Sequence, residues 1–138
     1  MNALSLHRIA HKLYSMKVPF IPKIIQVMIL FLFNCYVPYQ TKIGRGTVFG
    51  HRGIGLVINS EAVIGENVLI RAHVTIGKKT SEGKAPVIED NVVLGDGAKI
   101  LGDIVIGEGA VIGANAVVVK DVPAGATAVG VPAKLLQA

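Results

Sequence analysis

The chain has four histidines, the residues best suited to proton chemistry near neutral pH, and their settings differ. His7 and His11 sit in "LHRIAHKLYS", His73 in "RAHVT", and His51 in "TVFGHRGIGLVINSEAVIG". Only His51 is followed by glycine two and four positions later, at Gly53 and Gly55. Such glycines make the backbone permissive where another molecule approaches closely. A histidine there, pointing away from the core, is suited to take the proton from a hydroxyl nucleophile. His7 and His11 read as surface residues of a helix. His73 reads as an outward or corner residue, with a minor place near an acceptor. Two histidines in this part of the chain fall short of the three a catalytic zinc site of the carbonic anhydrase type needs, so no metal is expected. Cys35, the single cysteine, can form neither an intrachain disulfide nor a Cys-based zinc cluster, and reads as a small buried hydrophobe.

A regular scaffold must hold His51 outward, and the sequence supplies one. An aliphatic residue returns every six positions at Ile58, Ile64, Ile70 and Ile76, then at Ile88, Leu94, Ile100, Ile106, Ile112 and Val118. The missing member is Glu82, inside "GKKTSEGKAP", so an excursion there leaves the repeat and returns in phase. Ile43 and Phe49 keep the spacing, but the next member, Ile58, comes nine residues later. That break is a three-residue insertion around "RGIGL". Glycine often follows the repeated aliphatic, as at Gly44, Gly65, Gly95 and Gly107, and small or β-branched residues come four positions after it. Neither a helix nor an alternating strand gives a period of six. A short strand and a tight corner do, with the aliphatic inward and the glycine in a conformation that side chains disfavour. Three units close a coil of eighteen residues, and the coils stack into a parallel β-helix.

The stretches "KIGRG", "GHRGIGLVI", "VTIG", "GDGAKILGDIVIGEGAVIGANAVV" and "AVGVPAKLL" make Lys42–Leu136 resemble the hexapeptide-repeat acyltransferases, in their serine acetyltransferase-like branch. The resemblance implies a mainly β fold, a left-handed parallel β-helix (37–138) behind a short N-terminal helical cap (1–36), and a homotrimer. It also implies acetyl-CoA as cosubstrate, and His51 as general base for direct transfer to an acceptor hydroxyl, without an acyl-enzyme through Cys35 or a serine. Coenzyme A would lie between neighbouring subunits along Gly77, Gly95, Ala98, Gly113 and Ala114, whose backbone N–H groups could also serve the thioester oxyanion. Lys120 and Lys134 match positions for cations near its phosphates, and lysine suits a phosphate as a point charge. Tyr36, Arg52 and His73 are the acceptor-side candidates. The loop 78–86 is expected to fold over the site as a flap. Its likeness to a P-loop fails, because Ala72 and Lys79 occupy the required Gly and Ser/Thr positions. Where the serine-specific enzymes carry two aspartates and a further histidine, this chain has Gly50, Tyr36 and Ala85. An ammonium group would find no carboxylate in these motifs, and desolvating it unpaired is costly. A sugar or glycan-precursor hydroxyl is therefore the expected acceptor, in polysaccharide biosynthesis. The alternatives are serine itself, in cysteine biosynthesis, and a non-catalytic trimeric scaffold.

Ahead of the coils, "LHRIAHKLYSMKV" has one apolar helical face, and the segment after Gln26 is apolar for about ten residues, against about twenty for a bilayer span. This head either caps the first coil or lies on an anionic membrane surface. Its charge is one-sided: seven Lys and Arg precede the first acidic residue, Glu61, whereas nine acids face seven bases from there on. With no paired aromatic platform or known motif, nucleic acid is not an expected partner. The chain is too short to add the nucleotide-binding domain of a sugar nucleotidyltransferase. No basic–apolar–cleavable leader is present, so the expected location is cytoplasmic, with peripheral contact at the inner membrane face as the alternative for the head.

Overall fold

A computed structural model describes residues 1–136. Helix α1 (Ala3–Ser15) starts at Asn2, whose side chain accepts the Ser5 N–H at 2.8 Å. Helix α2 (Ile21–Phe33) has Pro22 in its first turn, where no backbone N–H is needed, and ends on Asn34 in the left-handed conformation. The rest is a left-handed parallel β-helix of about four turns. Its first face holds β1 (Lys42–Ile43), β4 (Val63–Ile64), β7 (Val87–Ile88) and β10 (Val105–Ile106). The second face holds β2 (Val48–Phe49), β5 (Leu69–Ile70), β8 (Val93–Leu94), β11 (Val111–Ile112) and β13 (Thr127–Val129), with β14 (Lys134–Leu135) added antiparallel. The third holds β3 (Val57–Ile58), β6 (Thr75–Gly77), β9 (Lys99–Leu101) and β12 (Val117–Val118).

The strand register turns the repeat into ladders. Ile58, Ile76, Ile100 and Val118 stack down the third face, and Phe49, Ile70, Leu94 and Ile112 down the second. Ile58, Ile70, Ile76, Leu94, Ile100 and Ile106 are wholly buried, each contributing about 1.5–3 kcal/mol to the stack.

The corners follow one rule, which differs from the expected one. The glycine directly after the repeated aliphatic does not have positive φ. It is small because the next coil is in the way: a Cβ on Gly44, Gly65, Gly95 or Gly107 would come within 2.4–2.7 Å of atoms one coil on. The left-handed residue comes two positions later, at Gly46, Asn67, Asn91 and Gly109 on one edge and His73, Gly97 and Asn115 on the next. Its N–H bonds to the preceding coil's carbonyl, as from Gly97 to Ala72 (2.9 Å) and from Asn115 to Asp96 (2.8 Å).

The helical head packs onto the first coil. Ala3 and Ile29 join the core, with Leu6, Ile25 and Phe33 against it. His7 is buried rather than on the surface: its Nε2–H donates to Pro38 O at 3.0 Å, while Nδ1 has no partner. His11, half-buried, reaches Tyr39 O through Nδ1 at 2.8 Å. The sequence reading failed here because the helix's polar residues also meet the chain segment 38–41, which covers them. Cys35 is buried as expected, and burial raises its thiol to about 11. Among the described residues no helix is long and apolar enough to cross a membrane.

Burial lowers the His7 pKa from 6.5 to about 4. Between these values the unfolded chain binds a proton that the folded chain refuses, so stability falls as pH drops from 6.5 toward 4, by at most on the order of 3 kcal/mol. Urea midpoints across that range should fall for the wild type and flatten in His7→Gln. An equal slope in the variant would assign the effect to other groups.

Candidate active site

Between β2 and β3 the corner runs over seven residues, 50–56, where the coil below uses four, 71–74. Hydrogen bonding identifies the three extra ones. His73 N–H donates to Ile54 O at 2.9 Å, so Ile54 stands where Ala72 stands one coil on, and Gly55 takes the left-handed corner position of His73. The inserted residues are therefore His51, Arg52 and Gly53. All three have positive φ (49°, 63° and 86°). Two consecutive non-glycine residues in this region cost on the order of 1–3 kcal/mol each, and such strain gathers at functional sites. Gly53 folds inward, its Cα side facing Phe49, Cys35 and Leu56, while His51 and Arg52 are exposed.

The end of α2 completes the site. Gly55 N–H donates to Asn34 O at 2.8 Å, and the Arg52 guanidinium lies 5.5 Å over the Phe33 ring. A cleft of about 190 Å³ opens here, lined by Leu32, Phe33, Asn34, His51, Arg52 and Ile54. It holds one guanidinium, one imidazole and no carboxylate. A larger cleft of about 410 Å³ lies over the first face, but Glu89, Asp90 and Glu108 line it and would repel phosphates. The chemistry points to the smaller cleft.

The other expected site residues separate onto two edges of the prism. Gly95, Gly113 and Ala114 lie on the corner column that begins with His51 and His73. Their small size has a packing cause at two positions, since a Cβ on Gly95 would be 2.7 Å from Ala114 N, and one on Gly113 2.8 Å from a Val129 methyl. The N–H groups of Gly95 and Gly113 are already donated to Ile112 O and Ala128 O, which removes them as oxyanion donors. Ala98 is wholly buried, so it touches the core and no ligand: it is the fourth corner residue, whose side chain turns inward. Gly77 is different, because a Cβ there would meet nothing closer than 3.7 Å, and packing does not require it to be small. It lies on the next edge, together with the loop 78–86 and Lys120. That loop leaves the rod across the third face from His51 and lies by Glu61, through the Lys78 ion pair, and by Gly102. It does not cover the His51 of its own chain. Lys134 is exposed on β14, which folds back along the last coil. Tyr36 bridges to Val57 and does not line the cleft.

Comparison with known proteins agrees with this architecture. Residues 85–120 match the family described as bacterial transferase hexapeptide (six repeats). The serine acetyltransferase of Synechocystis sp. is 40% identical over 138 residues, covering 99% of this chain and 55% of the relative. The soybean serine acetyltransferase complexed with serine superposes with a TM-score of 0.91 at 42% identity, over 97% of this chain and 56% of that one. The Brucella abortus serine acetyltransferase in complex with coenzyme A gives 0.92 at 34%, over 97% and 54%. Residues 85–120 carry the hexapeptide repeat, and the β-helix is similar over nearly its whole length to those of these serine acetyltransferases. The chain spans about half the length of these relatives.

The sequence does not single out the cleft wall formed by Leu32, Phe33 and Asn34. The one available signal was Asn34, a polar residue closing an apolar run, which is a usual way for a helix to end. His73 also gains a definite contact: a Cβ on Gly55 would fall 2.0 Å from its Nδ1. Gly55→Ala should therefore shift the insertion, destabilising the fold by roughly 1–3 kcal/mol. Adding His73→Ala should recover part of that loss and leave the cost of φ +71°. Strict additivity in a thermal-melt double-mutant cycle would contradict the contact.

Proposed function

We propose that the protein is an acetyl-CoA-dependent O-acetyltransferase in which His51 is the general base. The observation that carries this reading is the three-residue insertion, which turns an imidazole out of an otherwise regular coil and into the cleft beside Arg52. As the acceptor oxygen bonds to the acetyl carbonyl carbon, its proton passes to His51. Collapse of the tetrahedral intermediate breaks the C–S bond, and the leaving coenzyme A thiolate takes the proton from His51, which returns to its base form. Lys120 and Lys134, exposed at the far end of the rod, suit the phosphates of the nucleotide. Gly77 suits close passage of the pantetheine arm.

The proposed assembly is a homotrimer with the site between subunits. On one chain, His51 and the pair Gly77 and Lys120 lie on edges separated by the third face. A donor touching both kinds of edge is most simply held where two subunits meet, and the loop 78–86 would then serve a neighbour's His51.

L-serine is the proposed acceptor. The relatives are named for serine, and none of the similar proteins above points to a sugar or to polysaccharide synthesis. Arg52 offers a serine carboxylate a cationic partner. A second reading, an uncharged alcohol such as a sugar hydroxyl, is favoured by one observation: the cleft has no carboxylate for an ammonium group. The test is turnover of L-serine and of sugar acceptors with acetyl-CoA by the pure protein. Turnover of serine, falling roughly 10²–10⁴-fold in kcat in His51→Ala, is the expected result. Sugar turnover without serine turnover would replace the acceptor but keep the base. Near-wild-type activity in His51→Ala would overturn the base assignment, and absence of coenzyme A binding by calorimetry would leave a scaffold.

A further inference from the structure

Helix α2 is apolar on all sides, yet only one side is covered. Pro22, Gln26 and Ile29 are buried, and Ile25 and Phe33 pack on the core. On the opposite side Ile24, Val27, Met28 and Phe31 form a row spaced as i, i+3, i+4 and i+7, with Phe31 81% exposed. Phe20, also 81% exposed, and Leu32 extend it at either end. Helices without a polar face are found against protein or lipid, not water. The only charged residue in α2 is Lys23, and the turn that leads into it carries Lys17; both are exposed. No carboxylate occurs anywhere in residues 1–60, against seven Lys and Arg.

This charge separates the possible occupants. A second copy of the chain docked by the same face would bring a second Lys17 and Lys23 into the contact, with no acid in either head to pair any of them. An anionic bilayer surface supplies the missing negative charge, and its headgroup boundary accepts a row of Ile, Val, Met and Phe. We propose that the outer face of α2 is a membrane-docking surface, holding the protein on anionic lipid by an apolar row with a basic rim. This goes beyond the acetyl-transfer reading and does not depend on it.

The test is flotation of the full chain with phosphatidylcholine vesicles, with and without phosphatidylglycerol, at low and high salt. Binding should require phosphatidylglycerol and weaken at high salt. Ile24→Glu/Phe31→Glu should abolish it, and Lys17→Glu/Lys23→Glu should reduce it roughly tenfold or more. All four positions are exposed, and unchanged thermal melts would show that the variants fold. Absence of flotation would overturn the proposal, as would equal binding to both vesicle types. If instead Ile24→Glu/Phe31→Glu lowers the mass in sedimentation equilibrium and the wild type does not float, the face is an interface between copies.

Discussion

The contact on which this structure depends is the one between the glycine that opens a corner, at Gly44, Gly65, Gly95 and Gly107, and the next coil. With a Cβ position only 2.4–2.7 Å from neighbouring atoms at Gly44, Gly65, Gly95 and Gly107, the coils cannot separate or shift register to admit larger groups. Close packing there brings the inward ladders together, and the buried aliphatics hold it. A rod built this way has little freedom inside. Variation is confined to outward positions and to corners that can lengthen without disturbing the stack.

The position of the insertion follows from that restriction. A corner in the middle of the rod has a coil on both sides, and the bonds from Gly97 to Ala72 and from Asn115 to Asp96 bind it to each. The corner at 50–56 belongs to the first coil, with a coil on one side only. Ile54 O keeps the bond to the coil below, from His73 N–H, and Gly55 N–H bonds upward to Asn34 O, so the extra residues His51, Arg52 and Gly53 fit where no further coil lies. The end of α2 fills the space above them, so the head shapes the cleft as well as closing the core. Asn34 O and the Phe33 ring fix the insertion from above, and the coil carrying His73 fixes it from below.

Much of this was legible because the repeat carries its own ruler. Ile76 to Ile100 and Ile100 to Val118 cross a coil each, and their unequal spacings locate the loop at 78–86; Ile43 to Ile64 shows the shorter insertion. The period fixed the coil and its inward residues, since no other packing satisfies a beat of six. Which residue occupies which corner state was not legible. Glycine after the aliphatic signals close approach of a second coil, whereas left-handed backbone is carried two places later by Gly, Asn or His alike. Small residues at corners were equally ambiguous: Ala98 and Ala114 look alike in sequence, but one is buried and the other faces out. His7 failed for a related reason, because its burial depends on a chain segment some thirty residues away.

The same geometry bears on how His51, the proposed base, would work without a carboxylate beside it. Among the described residues no side chain hydrogen-bonds the His51 ring, and Tyr36 is engaged with Val57 away from the cleft. Orientation of the imidazole must then come from the backbone. Two left-handed residues in succession, closed by Gly53 against Phe49, Cys35 and Leu56, set the direction in which the His51 side chain leaves the backbone. A carboxylate partner would stabilise the protonated imidazole during transfer; without one, the opposite charge available is the carbonyl oxyanion of the tetrahedral intermediate or a group of a neighbouring subunit. Arg52 also lines the cleft, so an acceptor group bearing negative charge meets a cationic partner there and one bearing positive charge meets no carboxylate.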